Sequence, residues 1–543
     1  MTIAEASMPQ AAFDLVIRGG RVLDGTGAEG VRADVGIVDD RIVAVGDLSG
    51  AIAGRILDAT GLHVTPGFID IHTHSDISVT YDPGQASAVA MGVTTQVVGN
   101  CGLSLGFAMD SEAFAFEKRW LAPHKARIAW NTFAEHLDYI ESNGTATNMV
   151  PLAGHGTLRK RVMGMGERPA SADDLASMRR ELQTAMEAGG WGLTSGLEYP
   201  PSSYADEDEL SELCKVVAEY GGFYATHLRN EGDTLVEAVQ EALNVAERGG
   251  LPLQLSHHKA EGQANWGKIR TTLGMVDAAR ARGMDVQLDQ YPYTAFMTSL
   301  GVQTLPRWVL SGSPEEMQAR LIDPIQRAAI LAEMRATHPD WEETGSGSFW
   351  SNVQIGVCRH RPELQGRTIA SLATETGRNP IEYVLDLLGE TTGFVSAVNF
   401  AIGEEDIATV MRYPWTAIGS DGVGTHPGGT GGKDQIHPRA YGTFPRVLGR
   451  YVRELGILSE AEAIHKMTGL PAARVGLKER GQIIPGYFAD LTLYDPARIA
   501  DCATFDEPHQ FATGIEAVLV NGRFAHDSGT PNGTLAGCIL RHS

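Results

Sequence analysis

His72 and His74 stand one residue apart in GFIDIHTH. Side chains at i and i+2 of a strand point to the same face, so both imidazoles can reach one metal ion. Cys101 lies in TTQVVGNCG, His155 in NMVPLAGHG, His227 in GFYATHLRN, His257 in LPLQLSHHK and Asp421 in WTAIGSDG. Each closes an apolar, strand-like run. Taken alone, each has an ordinary explanation. A strand-end His is commonly a core or capped histidine, a buried Cys a small hydrophobe, and the Asp of SDG a turn former. Taken together they require many independent coincidences. Imidazoles with one thiolate suit zinc. Magnesium and calcium take oxygen ligands instead. Zinc polarises a carbonyl and brings the pKa of water to about 7. A carboxylate must then take and return a proton, and Asp421 is the candidate.

The elements that position these residues are legible as an alternation. Eight strand-like runs are GFIDIHTH, TTQVVGNCG, NMVPLAGHG, GWGLTSGLE, GFYATHLRN, LPLQLSHHK, MDVQLDQYPY and WTAIGSDG. Helical stretches such as SADDLASMRRELQTAMEAG and DTLVEAVQEALNVAERGG lie between most of them. Ser171 with Asp174 three residues later resembles a capping box. Strands alternating with such helices form a parallel sheet, and eight units predict a (β/α)8 barrel. The candidate residues then gather at the C-terminal ends of the strands, where such barrels carry their sites. Period-2 strand patterns at both ends of the chain (FDLVIRGGRVLD, GYFADLTLYD, IEAVLVNGRFAHDSG) predict a small β-sandwich built from residues 1–65 and 475–543, around a barrel over 66–474. Residues 300–362 break the rhythm and predict an inserted subdomain or lid.

Composition excludes several classes. The chain has 543 residues, 43% of them hydrophobic, and a formal charge of −23 from 44 Lys+Arg and 67 Asp+Glu. That charge repels phosphate backbones and anionic lipid, so neither nucleic acid nor a membrane surface is an expected partner. No run approaches the length of a membrane span, and the first residues lack a secretory pattern. Five widely spaced cysteines make no disulfide framework. The expected location is the cytoplasm.

The motif set GFIDIHTHSD, VVGNCGLSL, ATHLRNEGD, LSHHKAEG, DQYPYTA, IGSDG and HPRAYGTFPRVLGRYVRE, closed by MTGLPAARVGLKERGQIIPGYFADLTLYDP, resembles the N-acyl-D-amino-acid deacylase (D-aminoacylase) branch of the amidohydrolase superfamily. The resemblance spans most of the chain. It implies zinc-dependent hydrolysis of the amide of an N-acyl-D-amino acid. It implies a tight zinc site of Cys101, His227 and His257, with His72 and His74 supplying a second, weaker one. His258 is adjacent but points to the opposite face of a strand, so His257 is preferred. Asp421 matches the general acid/base. Lys259, Tyr291 and Arg439 match positions around the substrate carboxylate. His155 is assigned either to the developing oxyanion or to packing beneath the site. Many amidohydrolases bridge two metals through a carbamylated lysine on the fourth strand. Here that strand reads WGLTSGLE and has no lysine, consistent with the cysteine reading.

The chain also departs from that pattern. Phe296-Met297-Thr298 follows DQYPYTA where the family commonly has small residues, which puts the substrate side chain or acyl group in question. Glu198 lies either on the surface or in the site, where it disfavours acidic substrates. Other readings stay open: ring opening of a cyclic amide, deamination of a small molecule, or a non-catalytic metal-binding barrel.

Overall fold

The computed structural model describes residues 12–343, 347–429 and 432–542. All eight expected strands form: Phe68–Asp70, Val93–Val98, Asn148–Pro151 continuing as Ala153–Gly154, Gly192–Gly196, Phe223–His227, Leu253–Leu255, Val286–Gln290 and Thr416–Ile418. Neighbours pair in parallel and in chain order. The ring closes where Thr73 bridges Gly422 and Asp421 N–H donates to His72 O at 2.7 Å. A closed parallel barrel buries both faces of each strand, and every residue of Gly192–Gly196 and Phe223–His227 is buried.

The outer helices follow from patterning and caps. Ala172–Glu187 buries Met178, Leu182, Ala185 and Met186, one stripe of a 3.6-residue period. Ser171 and Asp174 form the expected capping box. No helix of the described residues is long and apolar enough to cross a membrane.

The inserted body is larger than residues 300–362. Its sheet opens with Phe296–Ser299, which pairs antiparallel with Val395–Asn399, itself paired with Val353–Cys358. The chain therefore returns to the barrel only after residue 399. The helical run at Ile369–Thr376 packs in this body, not on the barrel, and a separate apolar core around Trp341, Trp350, Leu321 and Val384 holds it.

Both termini build one sheet, as expected. Its order runs from Thr530–Pro531 through Leu491–Tyr494, His63–Pro66 and Ala12–Val22 to Arg41–Gly46. The far end returns to bridge Arg41 with Phe488, so the two expected layers are one sheet folded over Ile17, Val35, Leu491 and Leu519. Residues 1–11 of the expected span lie outside the described residues. The last residues leave this sheet. Ile539 bridges Met149, Leu540 N–H donates to Met149 O, and Trp191 Nε1 donates to Leu540 O at 2.5 Å. The tail thus straps the N-terminal end of the barrel.

Candidate active site

Three turns at the strand ends aim the key side chains. Cys101, His257 and Asp421 all have positive φ, at 53°, 33° and 49°. Non-glycine residues adopt this region at a cost, and such outliers cluster at functional sites. Gly196, at the end of the fourth strand, leaves no room for a Cβ against the Cys101 carbonyl, so the cysteine turn lies directly on that strand. His72 and His74 hang from the end of the first strand, as the spacing demanded.

These side chains converge. Cys101 Sγ lies 3.3 Å from His72 Nε2, 3.5 Å from His257 Nε2 and 3.9 Å from His227 Nδ1. Asp421 Oδ1 is 3.1 Å from His74 Nε2 and 3.4 Å from His72 Nε2. Donor atoms of His72, Cys101, His257 and Asp421 all fall within 4.8 Å of one another, and those of His227, Glu231 and His257 form an overlapping group. His258 turns away and pairs with Thr272 Oγ1 at 2.7 Å.

A ring of carboxylates holds the imidazoles from behind. Asp289 faces His72 Nδ1 at 3.1 Å, Glu231 faces His257 Nδ1 at 3.1 Å and Glu198 faces His227 Nε2 at 2.8 Å. Carboxylates behind metal-facing imidazoles fix the tautomer and raise ligand basicity. Glu198 therefore lies in the site, not on the surface.

The electrostatics keep the thiol and the carboxylate ionised. Burial alone would raise the Cys101 thiol. The charge on His72 and contacts from His227, His257 and His72 outweigh it and hold the thiol well below its ordinary range. Burial opposes charge on His74 too, yet Asp421 and Cys101 lift it to about 9. Asp421 is held well below the ordinary carboxylate range, against burial, by Arg439 and then His74. A thiolate and carboxylates crowded among buried imidazoles is a donor set that fits zinc.

Lys259, Tyr291 and Arg439 also line the cavity, whose volume is about 320 Å³. Neither cation is free of a partner. Lys259 pairs with Glu231, and Arg439 Nη1 lies 2.7 Å from Asp421 Oδ2. Both stand over the Tyr291 ring, at 5.9 and 4.8 Å. The buried Tyr291 hydroxyl has no hydrogen-bond partner. Phe296, Met297 and Thr298 line the same cavity, so the bulky insertion does reach the pocket.

His155 requires correction. It is fully buried, and its ring nitrogens face Ser202 Oγ at 2.7 Å and Glu209 Oε1 at 2.9 Å. It is not among the residues lining the cavity. Its surroundings are those of a packed histidine, and neither ring nitrogen is turned to the cavity.

The model of the amidohydrolase family matches residues 55–526. D-aminoacylase of Alcaligenes xylosoxydans xylosoxydans is 38% identical over 528 residues, 97% of each chain. The chain belongs to the amidohydrolase family. A solved D-aminoacylase, described for its binuclear metal centre with one-metal activation and second-metal attenuation, superimposes with a TM-score of 0.81 at 35% identity, covering 97% of this chain and 100% of that one. N-acyl-D-glutamate deacylase of Bordetella bronchiseptica, complexed with zinc and a phosphonate mimic of the tetrahedral intermediate, gives 0.81 at 33% identity, covering 98% and 100%. Within this amidohydrolase, Glu231, Asp289 and Glu198 are the residues that sequence reasoning passed over or left open. Glu231 in ATHLRNEGD and Asp289 in MDVQLDQYPY were visible only as acids near strand ends.

Proposed function

We propose that this amidohydrolase is a zinc-dependent deacylase that splits N-acyl-D-amino acids into a carboxylic acid and a free D-amino acid. The convergence of His72, Cys101, His257 and Asp421 within 4.8 Å, beside a cavity lined by two cations and an unpartnered tyrosine hydroxyl, carries the reading. The relatives' zinc and their D-amino-acid substrates support it.

Cys101, His227 and His257 are assigned the tight zinc site, and His72 with His74 the weaker one. Zinc, when bound, supplies a Lewis acid for the amide carbonyl and makes water a stronger acid. Asp421 takes a proton from the attacking water and returns it to the leaving nitrogen. Its ionised resting state, kept by Arg439, suits the first step. Tyr291 donates to the substrate carboxylate. Arg439 spends one edge on Asp421, and a guanidinium has five N–H donors, so it serves the substrate as well. Lys259 adds charge and, through Glu231, holds His257. Small molecules are the substrates, with neither nucleic acid nor a membrane as partner. The cysteines of the described residues are free, which fits a reducing compartment such as the cytoplasm.

The test is a hydrolysis panel of N-acetyl-D- and N-acetyl-L-amino acids on zinc-loaded and chelator-stripped enzyme. Zinc-dependent release from D substrates alone is expected. No release from either series would return cyclic amides and deamination to the front.

A further inference from the structure

A second cavity, of about 780 Å³, lies against the first. Barrel loops carrying Phe116 and Pro200 wall one side, and the inserted body supplies Val302, Leu310 and Val395 on the other. Leu103, Tyr199, Ser299 and Phe394 line both cavities, so the two adjoin at these side chains. Leu103 follows Cys101 by two residues and is 42% exposed. It is a large apolar side chain left uncovered beside a metal-type donor. Among the charged groups on the second cavity's wall, Glu117 takes Lys160 at 2.7 Å, Glu315 takes Arg119, and Glu316 accepts from Ser313 N–H at 2.7 Å in a capping box.

The rings of the site give a direction. Tyr291, under the two cations, neighbours His257 at 6.4 Å between centroids. His257 neighbours His227 at 4.5 Å, and His227 neighbours Tyr199 at 4.7 Å. Tyr199, at the other end of this ring series from Tyr291, also lines the second cavity. A substrate with its carboxylate over Tyr291 and its amide at the donors sends its acyl chain past Tyr199. An acetyl group ends there, whereas a longer chain continues into the second cavity.

We infer that this cavity is an acyl-chain subsite, and that the favoured substrates carry apolar acyl groups longer than acetyl, in a cleft of the volume that takes a small-molecule ligand. The inference rests on the deacylase reading above. It makes the inserted body, through Val302, Leu310 and Val395, a determinant of acyl length.

The test compares kcat/KM for N-acetyl-, N-butanoyl- and N-octanoyl-D-leucine on the zinc-loaded enzyme. Each methylene that becomes buried is expected to raise it about fourfold, the equivalent of about 0.8 kcal/mol, chiefly through KM. A flat or falling series with N-acetyl hydrolysis intact overturns the subsite and leaves the deacylase reading standing. No hydrolysis of any member removes both. Val302, half-buried and outside the first cavity's lining, gives the second arm. Val302→Trp is expected to cut kcat/KM for the octanoyl substrate at least about tenfold and to leave that of a series of N-acetyl-D-amino acids of growing side chain unchanged. Loss in the side-chain series instead assigns the cavity to the amino-acid side chain and overturns the proposal. A third measurement needs no variant. Octanoate is expected to inhibit wild-type enzyme at least about thirtyfold more tightly than acetate, and equal inhibition counts against the subsite.

Discussion

The two ends of the barrel are built on opposite principles. At the mouth, buried groups of both signs crowd together, and Cys101, His257 and Asp421 hold backbone angles that non-glycine residues avoid. At the base, the C-terminal tail lays Ile539 and Leu540 against Met149 and Trp191 through a main-chain hydrogen bond to Met149, one from the Trp191 indole, and apolar contact. The mouth concentrates strain and unlike charges, which a bound cation would settle. The base is held by hydrogen bonds, apolar burial and the pairing of Arg541 with Asp138 and Glu141. Chemistry and stability are thus drawn from opposite ends, and substitutions should separate them.

The largest effect expected at the mouth is on turnover. Asp421→Asn keeps side-chain shape, and Asn tolerates positive φ as Asp does. It is predicted to lower kcat about 10³-fold or more while far-UV circular dichroism and zinc content stay those of wild type. Near-normal turnover would remove Asp421 from the acid/base role. Cys101→Ala is predicted to lose tightly bound zinc, measured as metal per chain after gel filtration against a weak chelator. A ligand that binds only the folded state stabilises it by about 4 kcal/mol at a thousandfold excess over Kd. Wild type should therefore gain that stabilisation on zinc addition and Cys101→Ala should not. Full stoichiometry in the variant would end the cysteine-ligand assignment.

The base should behave in reverse. Ile539→Ala removes buried methylenes from the strap and is predicted to lower stability by about 2–4 kcal/mol, read as a drop in the denaturant midpoint with and without zinc. Its kcat/KM should hold within about twofold, because no donor residue touches the strap. A selective loss of turnover with stability intact would break the contrast between the two ends.

How much of this was legible depended on range. The eight strands announce themselves as apolar runs, and the His-x-His pair fixes its own face, because both signals are local. The inserted body was only half visible. Val395–Asn399 closes its sheet against Phe296–Ser299 about a hundred residues earlier, and no local period reports such a pairing. The strap was hidden because its contacts to Met149 and Trp191 are set by topology. Behind the imidazoles, Asp289 and Glu231 looked like ordinary acids until the strands brought them under His72 and His257. His155 shows the converse. Its position at a strand end was legible, but Ser202 and Glu209, which occupy both ring nitrogens, come from distant segments.

The smallest predicted effect concerns pH and belongs to the scaffold. Burial pushes His136 down to about 3 and His526 to about 4, against an ordinary value near 6.5. His136 packs on Trp130, with ring centroids 4.5 Å apart, and His526 lies in the terminal sheet. Both are neutral when folded, whereas the unfolded chain protonates them below about pH 6.5. The unfolded state then binds more protons, so stability falls as pH drops from about 6.5 toward 4, by at most about 1.4 kcal/mol per pH unit for each group. His136→Phe keeps an aromatic ring on Trp130 and removes one titrating group, whose buried Nε2 has no partner to lose. Urea midpoints of wild type and variant at pH 7.0 and 5.0 isolate the difference, since the contributions of the mouth imidazoles cancel between the two. Wild type should lose more stability than the variant over that interval. Equal losses would remove His136 from the acid sensitivity of the scaffold.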